Sequence, residues 1–167
     1  MIKDEIIFIL DENNFTIRPD SEWIKNKNWY CRVYLENYDF IEASFIAKAI
    51  KRFNTTLYQF IVTERGVDKL EPIELSIKYI ANFYSYDSNV DIALQHSGLT
   101  DENSNFLFFK DAENEIFMLF GDEKFVKTAM PIEFDIYKKY YQNYYGYWAS
   151  ENIDKLLQRI WKEYPIC

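Results

Sequence analysis

Two strongly apolar runs, Phe106-Leu-Phe-Phe109 and Ile116-Phe-Met-Leu-Phe120, flank the polar stretch Lys110-Asp-Ala-Glu-Asn-Glu115. Short aromatic and aliphatic runs around a turn-rich spacer predict two antiparallel strands, the clearest hairpin signal in the chain. Gly121 ends the second run. A hairpin this apolar cannot stand in water alone, so the remaining residues must supply elements that cover it.

The chain has 167 residues, the size of one ordinary domain, and can bury most of its unfolded surface without disulfides or a structural metal. Apolar residues make up 49% and aromatic residues 19%, against four glycines and four prolines, a composition that disfavours disorder. Neither a repeat of 20–50 residues nor a Ser/Gly/Pro-rich linker divides it. A single domain spanning residues 1–167 is expected. Cys31 and Cys167 cannot make a disulfide framework, and reduced thiols are the simpler reading. The apolar run Ile6 to Leu10 follows Asp4 and Glu5 and is too short and wrongly flanked for a signal peptide or membrane span, so a cytoplasmic location is expected.

Ile6 to Leu10, Asp11-Glu-Asn-Asn14 and Phe15-Thr-Ile17 predict a first hairpin, and Trp29 to Leu35 a further strand. Phe45, Ile46, Ala49, Ile50 and Phe53 follow helical spacing and predict a helix over about 40–53, with Lys51 and Arg52 near its negative end. Leu57 to Thr63 reads as a buried strand, with Gly66 marking the turn after it. Pro72 opens a predicted helix carrying Ile73, Ile77, Ile80 and Tyr84 on one face, although alternation at 73, 75 and 77 leaves a strand open there. Asn89 to Ser97 predicts a short helix stopped by Gly98. Beyond Pro131, Phe134, Tyr137, Tyr141, Tyr144 and Tyr145 suit a helix, and Ile153, Leu156, Leu157, Ile160 and Trp161 suit a last one capped by Ser150. Hairpins mixed with helices predict an α+β fold, a largely antiparallel sheet with packed helices.

The formal net charge is −8, and most of the excess falls in two stretches: residues 1–22 carry −4 and residues 101–123 carry −6. An acidic chain is poorly suited to nucleic acid or an anionic membrane, and a charged partner should be basic. The tyrosines at 137, 140, 141, 144, 145 and 147 have the chemistry of a base-stacking platform, but such a platform belongs in a basic groove and only Lys138 and Lys139 are near. Core packing with polar tips, or a protein interface, fits them better.

Motif-marked chemistry is missing. His96 has no Cys, Asp or Glu at a zinc-ligand spacing and reads as a helix-end histidine; Cys31, among Trp29, Tyr30, Val33 and Tyr34, reads as a small buried hydrophobe. The glycines at 66, 98, 121 and 146 are too scattered for a phosphate loop, and there is no Gly-x-Ser-x-Gly elbow. Asp111 with Glu113 or Glu115 has the chemistry for Mg²⁺ or acid–base work, against the simpler reading of a solvated hairpin turn.

The stretches Asn105-Phe-Leu-Phe-Phe-Lys-Asp111, Ile116-Phe-Met-Leu-Phe-Gly-Asp122, Phe125-Val to Met130-Pro131 and Tyr137-Lys-Lys-Tyr-Tyr141 resemble the C-terminal half of small immunity proteins of bacterial contact-dependent growth inhibition systems. The resemblance covers about residues 100–147. It implies a protein that protects its cell by binding a cognate toxin domain, often a basic nuclease; no cofactor is expected, and the net charge disfavours direct contact to nucleic acid or membrane. Such families share no common binding site, so the resemblance transfers no residue.

The candidate toxin-binding residues therefore come from the charge map alone: Asp101, Glu102, Asp111, Glu113, Glu115, Asp122 and Glu123. In a two-stranded unit the 110–115 loop and the 121–123 end fall at opposite ends, so the seven are not expected to face one partner together. Two alternatives stay open: a small carboxylate- or metal-dependent hydrolase, and an acidic adaptor or regulatory subunit.

Overall fold

The computed structural model describes residues 6–11, 16–35, 39–83, 95–114, 116–145 and 151–167. The first hairpin forms as predicted, from β1 (Phe8–Asp11) and β2 (Thr16–Pro19), and makes a two-stranded sheet by itself. A short helix, α1 (Ser21–Asn26), follows, and then β3 (Tyr30–Leu35). Helix α2 (Phe40–Lys51) is started by a capping box: the Asp39 carboxylate accepts from the Glu42 amide and Glu42 from the Asp39 amide, each at 2.8 Å. Strands β4 (Leu57–Thr63) and β5 (Gly66–Ile73), helix α3 (Ile77–Ala81) and strand β6 (Ser97–Asp101) complete the first two thirds. The apolar hairpin is β7 (Phe106–Asp111) with β8 (Ile116–Gly121), and helices α4 (Glu123–Ala129), α5 (Phe134–Tyr145) and α6 (Glu151–Glu163) close the chain.

The main sheet has the order β3-β8-β7-β6-β4-β5, every pair antiparallel, so this is the α+β domain with a largely antiparallel sheet and packed helices. β8 and β7 lie second and third from the β3 edge, and every residue from Phe106 to Asp111 and from Ile116 to Gly121 is buried. Directly paired residues point to the same side of a sheet, so the register sorts the side chains into two faces. Phe106, Phe108, Phe117 and Leu119 share one face with Arg32 and Tyr34 of β3. There Phe53 stacks on Phe106 at 5.6 Å, Phe125 of α4 on Phe106 at 5.0 Å, and Phe83 meets Phe108 at 6.0 Å. The opposite face carries Cys31, Phe60, Phe109 and Phe120, met by Phe8 of the small hairpin at 5.2 Å from Phe109 and by Tyr164 at 5.1 Å from Phe120. Helices α2, α3 and α4 cover the first face; the β1–β2 hairpin and the end of α6 cover the second.

Side-chain hydroxyls tie the covers down. Tyr34 donates to the Ala129 carbonyl at 3.0 Å, Tyr164 to the Pro19 carbonyl at 2.6 Å and Tyr137 to the Val33 carbonyl. Arg32 is 1% exposed; its Nη2 donates to the Ile132 carbonyl at 3.3 Å, its Nε and Nη1 meet no acceptor among the described residues, and the rings of Phe134 and Tyr137 lie 5.0 and 5.5 Å from its guanidinium carbon.

Two predicted helices are corrected. Pro72 lies inside β5, opposite Tyr58, and the following helix is only Ile77–Ala81 with Ser76 as its N-cap. An edge strand has no outer partner to miss the proline N–H, so β5 tolerates it; the strand left open by alternation at 73, 75 and 77 is not found either, since β5 ends at Ile73 and Ile77 opens the helix. Ser97 and Gly98 belong to β6 rather than to a helix end; residues 89–94 of that predicted helix, and the proposed cap Ser150, lie outside the described residues. Gly98 is opposite Phe60 and packs beneath its ring so closely that a Cβ would overlap it. Helices α1 and α4 were not predicted; Asp20 and Asp122 cap them by accepting from the Trp23 and Phe125 amides, each at 2.7 Å.

Because Phe60 is 1% exposed and cannot swing away, Gly98→Ala should destabilise the fold by about 1–3 kcal/mol. Thermal unfolding should show a midpoint lowered by several degrees, with a native far-UV spectrum at low temperature.

Candidate functional site

The acidic stretch 101–123 contains two kinds of carboxylate. Asp101 ends β6 with no exposure and accepts three hydrogen bonds, from Thr55 Oγ1 at 2.8 Å and from Asn105 N and Nδ2 at 2.6 Å each. It pins the β6–β7 turn to the segment entering β4. Asp111, 2% exposed, ends β7 and accepts from Glu113 N at 3.1 Å, Asn114 Nδ2 at 2.7 Å and Thr16 Oγ1 of β2 at 3.0 Å. It shapes the β7–β8 turn and joins the small hairpin to the main sheet. Both were candidate binding residues, and both are corrected: neither offers an accessible carboxylate, because their oxygens satisfy turn amides that would otherwise be buried unpaired.

The others differ. Asp122 caps α4 and also pairs with Arg52 from the end of α2, and Glu123 pairs with Lys127 one turn on at 2.7 Å. Glu102 and Glu113 are exposed and have no side-chain partner among the described residues; Glu115 lies outside them. The register places Phe106 opposite Gly121 and Asp111 opposite Ile116, so Glu102, Asp122 and Glu123 stand at one end of the sheet and Glu113 at the other, as the two-stranded geometry required.

The Glu102 end holds a feature the sequence did not signal. An open groove of about 840 Å³ runs between the C-terminal half of α2, the entry to β4 and the connection from β5 to α3. Its apolar lining comes from Ala47, Ile50, Leu57, Ile73, Leu75 and Ile77, interspersed with small polar side chains, and Ile77 remains 38% exposed. Four charges line it: Lys48 and Lys51 on α2, Glu74 after β5 and Glu102 after β6. The sequence encodes these residues in three separate segments, so only the sheet order brings them together.

At the opposite end, His96 immediately precedes β6, and the segment before residue 95 lies outside the described residues. Its Nδ1 accepts the Ala112 N–H at 3.2 Å and lies 3.6 Å from Asp111 Oδ1, with the ring stacked on Phe109 at 6.1 Å. Burial lowers its pKa; Asp111 and Glu113 pull upward without offsetting burial, and the accepted amide proton requires a neutral Nδ1. Cys31 is buried, and desolvation pushes its thiol well up, in keeping with a packing role. Tyr137 and Tyr141 are core residues at 3% and 7% exposure, while Tyr140 is exposed. Among the described residues no group of three or more His, Cys, Asp or Glu side chains is placed to hold a metal ion, and no helix is long and apolar enough to cross a membrane.

Comparison with protein-family models, with curated proteins and with solved structures finds no match to this chain.

Two measurements check these roles. Asp101→Asn turns an amide toward three donors and should cost about 2–3 kcal/mol in denaturant unfolding. For His96, the folded pKa lies below the unfolded one, so the unfolded chain takes up the proton first and stability falls as pH drops below about 6.5. His96→Asn keeps an acceptor for the Ala112 amide without the titration, and unfolding midpoints from pH 7.5 down to pH 5 should then show a flatter acid slope than the wild type.

Proposed function

We propose that this chain is an immunity protein that binds and neutralises a cognate toxin domain, most simply a basic nuclease, inside the cytoplasm of the cell that makes it. The observation that carries the reading is the net charge of −8 on a rigid sheet whose end loops present carboxylates to solvent. Glu102 and Glu113, exposed and without a side-chain hydrogen bond or ion pair among the described residues, sit on turns whose shape is held by Asp101 and Asp111 beneath them, so binding orders little further chain. The negative charge of the molecule as a whole complements a protein evolved to meet phosphates, and it speeds encounter with one. The resemblance of residues 100–147 to immunity proteins of contact-dependent growth inhibition points to the same partner.

The partner expected on this reading is the product of the gene immediately upstream. Its C-terminal domain should form a one-to-one complex with this protein, and co-expression should restore growth to cells carrying the toxin domain. In stopped-flow mixing, the association rate should fall about tenfold from low to high ionic strength while dissociation changes little. A partner that neither binds nor is neutralised would sink this reading.

A further inference from the structure

Resting on that reading, we propose that the groove beneath α2 seats an extended segment of the toxin domain that carries a large apolar side chain between a basic and an acidic residue. Topology sets the arrangement. Glu74 leaves β5 and Glu102 leaves β6, the strands on either side of β4, so the two carboxylates flank the Thr55–Leu57 entry to β4. Lys48 and Lys51 are one helical turn apart on α2 and form the other wall.

Charges at the mouth of a groove ordinarily pair with one another. These four do not: among the described residues none of Lys48, Lys51, Glu74 and Glu102 has an ion pair or a side-chain hydrogen bond, whereas neighbouring Arg52 is taken by Asp122. The surface thus keeps two acids and two bases available around an apolar floor. A segment offering one sign alone would meet repulsion on one wall. One that places its base toward Glu74 and Glu102 and its acid toward Lys48 and Lys51 satisfies both, and its apolar side chain removes Ile73, Leu75 and Ile77 from water. The volume of about 840 Å³ exceeds any single side chain, which suits several residues of extended chain.

The test uses the full chain and the toxin domain encoded upstream. Glu74→Lys with Glu102→Lys should raise the dissociation rate about ten- to hundredfold, and Ser44→Trp, which fills the groove from α2, should do the same. Glu113→Lys, at the far end of the sheet, should alter only the association rate. Hydrogen exchange on the wild-type complex should show slowed amides at 55–57 and 75–77, a readout that needs no variant to fold. If the groove variants fold and dissociate like wild type, or those amides exchange unchanged in a complex that forms, the groove assignment is overturned while the immunity reading stands. If the wild-type protein does not bind the upstream product at all, the immunity reading falls and this assignment with it.

Discussion

Burial of β7 and β8 on both faces is the constraint on which the rest of the molecule depends. A hairpin with apolar side chains on one face needs one cover; this one places Phe106 and Phe108 on one side and Leu107 and Phe109 on the other, so it needs two. The α2–α3–α4 layer and the layer made by the small hairpin with α6 answer that need. Tyr34, Tyr137 and Tyr164 hold the covers through hydroxyl bonds to backbone carbonyls, so aromatic residues serve both as filling and as fasteners.

The same constraint explains the fate of the acidic stretch. A buried hairpin must still turn, and a turn exposes amides that the core cannot satisfy. Asp101 and Asp111 end the β6 and β7 strands and take up those amides, which frees Glu102 and Glu113 to face water on turns of fixed shape. Charge density in a sequence thus divides into carboxylates that build loops and carboxylates that the loops display. The spacing could have separated them: Asp101 reaches Asn105 and Asp111 reaches Asn114, the short-range Asp-to-Asn pattern of side chains that bond to nearby backbone.

Much of the fold was legible because its strongest signals are local. Both hairpins, β3, β4, α2, α5 and α6 follow from periodicity and punctuation. The misses share a cause, which is context that periodicity does not contain. Pro72 belongs to a strand because β5 is an edge, and Gly98 belongs to a strand because Phe60 needs the room. α1 and α4 are too short for a periodic signal, although Asp20 and Asp122 marked their starts. The groove was not legible at all, since its charges come from α2, the β5–α3 connection and the β6–β7 turn.

Arg32 bears on a different matter. β3 is one margin of the sheet, and a margin of open amides and carbonyls is a template for the strand of any other chain. Here the Cys31 amide is taken by the Pro165 carbonyl at 2.7 Å, and the next residue turns a guanidinium inward beneath Phe134 and Tyr137. The other margin, β5, is interrupted by Pro72 and by Lys69 at a φ of 45°. Neither margin of the main sheet offers an unbroken main-chain ladder, so a strand of another chain finds no continuous template along it. What the two margins present outward is therefore side chains, which can be changed one at a time without disturbing the sheet that holds them in place.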